Sequence, residues 1–196
     1  YWHRSKKDLQ PKNIHPALDN DRIKILYFSF GFETYLNFYF PNENRNWKEL
    51  LYDYHDVIFS LLKEYPEKIQ IIYKTGAKKA RDFFPGFKVF LEDYSKYINT
   101  SNLLELNTSY SSFDLIRCAN IILGFQTSGM IEAMFTDKPI VYGAWGDLFK
   151  DIKELLLPLH KTDGLFFARS KDELYCELKR LIQANSIFTL SDKSKY

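Results

Sequence analysis

From Asp21 onward, short apolar runs alternate with longer stretches whose apolar positions return every three or four residues. The first run, IKILYFSF over 23–30, is strand-like and ends at Gly31 and an aromatic-rich loop reaching Phe40. From Asn46, the residues Trp47, Leu50, Leu51, Tyr54, Ile58, Leu61, Leu62 and Tyr65 recur at helical spacing, with Asn46 as a cap and Pro66 as a stop. The rhythm repeats with a strand over 69–73, a short helix near 77–83, a further element near 87–97 and a strand over 103–106. Ser111, Ser112, Phe113 and Asp114 then spell an S-x-x-D capping box that opens a helix through Ala119. Strand 121–125, helix 128–135, strand 140–144, helix 148–157, strand 165–168 and helix 171–184 complete the series. Strands rich in Ile, Leu and Phe, without polar alternation, are buried on both faces, as in a parallel sheet flanked by helices. The pattern therefore predicts one doubly wound, Rossmann-like α/β domain over about 21–185, with a mostly parallel sheet of about six strands. Residues 1–20, with Pro11 and Pro16, read as a linker or N-terminal arm, and 186–196 as a polar tail.

Composition narrows the function classes. The 196 residues carry 27 Lys and Arg against 25 Asp and Glu, a net charge of 27 − 25 = +2, with the signs interspersed. There is no basic footprint of the kind that carries nucleic-acid binding, so nucleic acid is not an expected partner. Cys118 and Cys176 stand in apolar segments with no ligand-spaced Cys or His beside them, which argues against a disulfide framework or zinc site and for a reducing compartment. No apolar run approaches the ~20 residues of a membrane span. The first residue is Tyr1 rather than Met, which points to a fragment or processed chain.

Ligands of open α/β sheets bind beyond the carboxyl ends of the strands. The richest such loop is Gln126-Thr127-Ser128-Gly129, between strand 121–125 and the helix carrying Glu132. Hydroxyl donors and helix-start amides together suit a phosphate, and the carboxylate of Glu132, which only accepts hydrogen bonds, suits a ribose diol. The same residues also make an ordinary helix cap with an acid in its first turn. Lys74 reads either as a phosphate-binding cation or as a solvated strand-end lysine. Gly31 follows a strand where backbone approaches a ligand or simply turns. Asp19-Asn20-Asp21 precedes a strand instead of following one and reads as a turn, and His55, next to Asp53 and Asp56, as part of surface charge pairing. No order of Ser, His and Asp or of Cys and His suggests nucleophilic hydrolysis, and no catalytic residue is assigned.

The string FDLIRCANIILGFQTSGMIEAMFTDKPIVYGAWGDLF over 113–149 resembles the nucleotide-sugar-binding half of GT-B glycosyltransferases, most closely those of capsule and surface polysaccharide biosynthesis. A more distant likeness is to the glycerol-phosphate polymerases of teichoic acid synthesis. The matching pieces are Ala119-Asn120, the strand 121–124, Thr127-Ser128, Glu132-Ala133-Met134 and Asp137-Lys138-Pro139, with Tyr142-Gly143 closing the next strand. Asp137 stands where those families usually have glycine. Their Lys-Pro-His-Pro string is replaced here by Tyr73-Lys74-Thr75-Gly76, so no role attached to that histidine transfers.

The resemblance implies that Thr127 and Ser128 contact the donor diphosphate and Glu132 its ribose, with Gly129, Lys74 and Gly31 as further donor-site residues and no metal obligatory. It implies a nucleotide-sugar donor, a glycan or lipid-linked acceptor, and an acceptor-binding N-terminal domain or partner chain outside this sequence. It also implies a place in the cytoplasm, at the inner face of the membrane. The aromatic loop Tyr35, Phe38, Tyr39 and Phe40 offers a face to that missing domain, an acceptor glycan or a membrane surface. Two other functions fit the same fold: transfer of a polyol phosphate from a CDP-linked donor, and a nucleotide-binding or scaffolding module without turnover.

Overall fold

A computed structural model describes residues 14–30, 47–75, 92 and 100–184. The elements expected near 77–83 and 87–97, Gly31, the 35–40 aromatic loop, residues 1–13 and the tail from 185 lie outside the described residues, apart from Glu92. In chain order the strands are β1 (Ile23–Phe28), β2 (Ile69–Lys74), β3 (Leu103–Leu106), β4 (Ile121–Gly124), β5 (Ile140–Gly143) and β6 (Phe166–Ala168). The helices are α1 (Lys48–Glu64), α2 (Ser112–Cys118), α3 (Ser128–Ala133), α4 (Asp147–Ile152) and α5 (Lys171–Gln183). The strands form one parallel sheet in the order β3-β2-β1-β4-β5-β6. The expected doubly wound fold is present.

Strand order follows from composition and handedness. β2, β4 and β5 are buried at every position, so each needs helices on both faces of the sheet. The chain steps outward from β1 to β3 in one direction and from β4 to β6 in the other. Right-handed crossovers therefore place the crossover helices of the two halves on opposite faces, while α5, after β6, returns to pack on α1, with Lys171 paired to Asp56 and Lys179 to Glu64. The reversal leaves a switch point between β1 and β4, where the loops after those strands diverge and open a crevice.

Two helix starts are as the sequence suggests. Ser111 accepts a bond from the Asp114 amide (3.4 Å) at the start of α2, and Ser170 accepts from the Glu173 amide (3.1 Å) at the start of α5. Glu173 reaches back to the Arg169 amide (2.7 Å). Each such cap is worth about 1 kcal/mol. Residues 14–20 are held to the domain. Leu18 is buried in the core, and Gln70 accepts from the Asp19 amide (3.0 Å) and donates to the Ala17 carbonyl (2.8 Å). Asp19 forms the expected turn, its carboxylate accepting from the Asp21 amide (2.9 Å).

The core closes around Tyr54 of α1. Its hydroxyl accepts from the Gly143 amide (2.8 Å) and lies 3.0 Å from the Gly124 carbonyl and 2.8 Å from that of Gly143, so one fully buried side chain joins the ends of β4 and β5. A Cβ at Gly143 would lie 2.8 Å from that hydroxyl, which explains a residue without one there. Tyr54→Phe leaves the Gly143 amide and the carbonyls without this partner in a dry site. The expected result is a loss of about 1–3 kcal/mol in urea unfolding, with an unchanged m-value.

Candidate functional site

Beyond the carboxyl ends of β1, β2 and β4 lies a cleft of about 390 Å³, lined by Phe28, Ser29, Lys74, Thr75, residues 108 and 110–112, and Thr127, Ser128 and Gly129. It sits at the switch point. Four of the six candidate residues, Lys74, Thr127, Ser128 and Gly129, share its walls. Glu132 stands one turn further along α3, half-buried and outside the cleft lining, and Gly31 lies outside the described residues.

Thr127 is the N-cap residue of α3, with extended backbone (φ −120°, ψ 151°), yet its side chain makes no cap bond. Its Oγ1 is buried and has no hydrogen-bond partner among the described residues. The ordinary-cap reading of Thr127 is thereby corrected: the hydroxyl does not serve the helix. A buried hydroxyl without a partner carries a desolvation cost of about 1–3 kcal/mol, which a ligand acceptor would remove. Ser128 is exposed beside it. α3 is only six residues long, so the site's donors are these hydroxyls and Lys74 more than a helix dipole.

Gly129 has a packing reason to be glycine. A Cβ there would meet the Phe28 ring at 2.5–2.8 Å, so that ring, at the end of β1, lies flush against the start of α3. Phe28 thereby sets the distance between the two sides of the cleft.

Lys74 is only 7% exposed, which corrects the solvated strand-end reading. Its ammonium donates to the carbonyls of Asn107 and Tyr110 (2.6 Å for the latter), tying the loop after β3 to the cleft. Burial away from water pushes its pKa down from the ordinary lysine value. An ammonium has three N–H groups, and two are engaged here by backbone.

His55 is also corrected: it is buried in the core face of α1. Nδ1 lies 2.7 Å from the Leu51 carbonyl and Nε2 3.1 Å from the Tyr73 hydroxyl, which in turn lies 3.0 Å from Ser29 Oγ on the cleft wall. Burial holds its pKa down at about 4, against the opposing pull of the Leu51 carbonyl and of Asp56.

Gln126 was not anticipated. It takes a left-handed backbone conformation (φ 44°), rare for a residue with a side chain. Its amide donates to the Leu157 carbonyl (2.9 Å) and the Tyr142 hydroxyl (2.9 Å) and accepts from the Leu157 amide (2.9 Å). This clasp fixes the loop that presents Thr127 and Ser128. Sequence carries no sign of it, because a non-glycine residue at positive φ depends on tertiary partners.

A larger open groove of about 580 Å³ runs along β6 and α5, lined by His160, Arg169 and Arg180 among others. None of the candidate residues faces it, and it lies away from the switch point. Among the described residues no group of three or more His, Cys, Asp or Glu side chains is gathered for a metal ion, and no helix is long and apolar enough to cross a membrane.

No protein family model and no curated protein matches the chain. Solved structures do. The OtsA apo structure is 12% identical with a TM-score of 0.57, covering 95% of this chain and 41% of OtsA. A protein of Listeria monocytogenes assigned as a UDP-N-acetylglucosamine 2-epimerase is 12% identical with a TM-score of 0.52, covering 89% of this chain and 40% of its own. KpsC of Thermosulfurimonas dismutans, a β-Kdo 2,4 transferase, is 13% identical with a TM-score of 0.42, covering 81% and 44%. The chain spans about two fifths of the length of the first two, and its fold is one doubly wound α/β unit of the kind that makes up half of a GT-B arrangement.

Proposed function

We propose that the chain is the nucleotide-sugar-binding half of a GT-B glycosyltransferase that acts in surface polysaccharide or lipid-linked glycan assembly. The observation that carries this reading is the buried, unpartnered Thr127 hydroxyl in a cleft at the switch point. A group left without a partner inside a polar cleft is a donor awaiting an acceptor. The resemblance over 113–149 and the nucleotide-sugar named for the Listeria protein support a diphosphate as that acceptor.

In this reading Thr127 and Ser128 donate to the diphosphate, and the Lys74 ammonium adds positive charge from the opposite wall. Donors fixed in advance stabilise the charge that develops on the leaving nucleoside diphosphate. Glu132 takes the ribose and Gly31 approaches the donor phosphates; the acceptor, glycan or lipid-linked, is held by a domain or chain outside this sequence, at the inner face of the membrane. The catalytic base comes from that other half.

Thr127→Val tests the reading with little collateral damage, because it removes a hydroxyl that bonds nothing among the described residues and keeps the shape. Titration of UDP-sugars is expected to show a loss of about 1–3 kcal/mol in affinity, together with thermal stability unchanged or slightly raised. Unchanged affinity with lowered stability would mean that the hydroxyl serves only the fold.

A further inference from the structure

Ser29 lines the cleft, yet its hydroxyl is already engaged from behind. The Leu51 carbonyl can only accept, so His55 Nδ1 at 2.7 Å carries the hydrogen. In the neutral ring Nε2 is then bare and accepts at 3.1 Å from the one hydrogen that the Tyr73 hydroxyl has. The Tyr73 oxygen, 3.0 Å from Ser29 Oγ, consequently receives the Ser29 hydrogen. The chain of bonds runs one way, from the cleft into the core: Ser29 donates to Tyr73, Tyr73 to His55, and His55 to Leu51. Tyr27 and Phe59 pack against the imidazole and keep the arrangement away from water.

We propose, resting on the nucleotide-sugar reading, that Ser29 is a specificity residue that shows the cleft only acceptor lone pairs and so takes a ligand hydroxyl of ribose or sugar, not a phosphate oxygen. The two sides of the cleft thereby divide the ligand. Thr127 and Ser128 offer O–H donors to an anion, and Ser29, immediately after β1, offers lone pairs that repel one. His55 and Tyr73 act through Ser29 and are positioning residues.

The test uses the 196-residue chain in two measurements. Long-range nitrogen–proton NMR of the imidazoles reads the His55 tautomer without any ligand; the proposal requires hydrogen on Nδ1 and a bare Nε2. Hydrogen on Nε2 would reverse every bond in the chain, make Ser29 a donor and overturn the proposal. Calorimetric titration of pyrophosphate, UDP and UDP-glucose then compares the wild type with Ser29→Ala. The expected result is a roughly threefold to tenfold loss of affinity for the hydroxyl-bearing ligands and none for pyrophosphate. Loss for both nucleotides assigns the partner to ribose, and loss for UDP-glucose alone assigns it to the sugar. Tyr73→Phe, which releases the Ser29 hydrogen, should tighten pyrophosphate binding. Equal weakening of all three ligands by Ser29→Ala, or no change in any, overturns the assignment of Ser29 while leaving the nucleotide reading in place. A wild-type chain that binds none of the three overturns the nucleotide reading, and with it the ligand assigned to Ser29, whatever the tautomer.

Discussion

Acidification from pH 6.5 to pH 4 is expected to cost the protein on the order of 3 kcal/mol of stability through His55 alone. In the unfolded chain this imidazole binds a proton near pH 6.5; in the folded core burial holds its pKa down at about 4. Between those values the unfolded state binds more protons than the native state, so stability falls as pH falls. Above pH 6.5 both states are neutral and the histidine adds no slope; below pH 4 both are charged and the loss stops growing. Urea unfolding at half-unit pH intervals measures this, with His55→Gln as the comparison. The variant starts from lower stability because it disturbs the bonds to Leu51 and Tyr73, but its own curve should be flatter between pH 6.5 and 4. Parallel curves for the two proteins would show that His55 is not the group that titrates.

Gly129→Ala is the second large effect. The added methyl would sit 2.5 Å from the edge of the Phe28 ring, closer than atoms tolerate, and Phe28 is itself buried. The ring or the start of α3 must therefore shift, at a cost of about 1–3 kcal/mol. Because Thr127 and Ser128 lie immediately before this contact, nucleotide affinity should fall with stability. Phe28→Leu in the same chain relieves the clash, so the double variant should be more stable than the sum of the two single effects predicts. Strict additivity would mean that the ring is not what excludes a side chain at residue 129.

How far the sequence could be read depended on whether one face of an element decided the matter. The strands β1, β2, β4 and β5 were legible because a run such as Ile69–Tyr73 has no solvated face, which is possible only inside a parallel sheet. The cleft was legible in outline, because in this topology the residues after each strand converge at one edge. Lys74 ends β2, Thr127–Gly129 come just after β4, and they meet there.

His55 was misread because a polar residue between Asp53 and Asp56 looks like part of a solvated face. The helical period held the better signal: positions 51, 55, 58 and 62 form one stripe, and the other three are apolar. Lys74 ends a buried strand, and only the loop 107–110 folding over it decides that its charge is met by carbonyls and not by water. The roles of Gln126 and of the Tyr54 hydroxyl depend on partners 16 to 89 residues away, and no local pattern announces them.

In the proposed function the switch-point cleft binds a nucleoside diphosphate carrying a sugar. Amide NMR of the isotopically labelled chain, titrated with UDP-glucose and separately with CDP-glycerol, tests it most directly. Saturable shifts are expected, confined to 28–29, 74–75, 108–112 and 127–130, stronger with UDP-glucose and abolished or much weakened in Thr127→Val. A preference for CDP-glycerol at the same residues would move the chain to polyol-phosphate transfer. No shifts with either ligand, or shifts confined to the β6–α5 groove around His160 and Arg180, would contradict the claim.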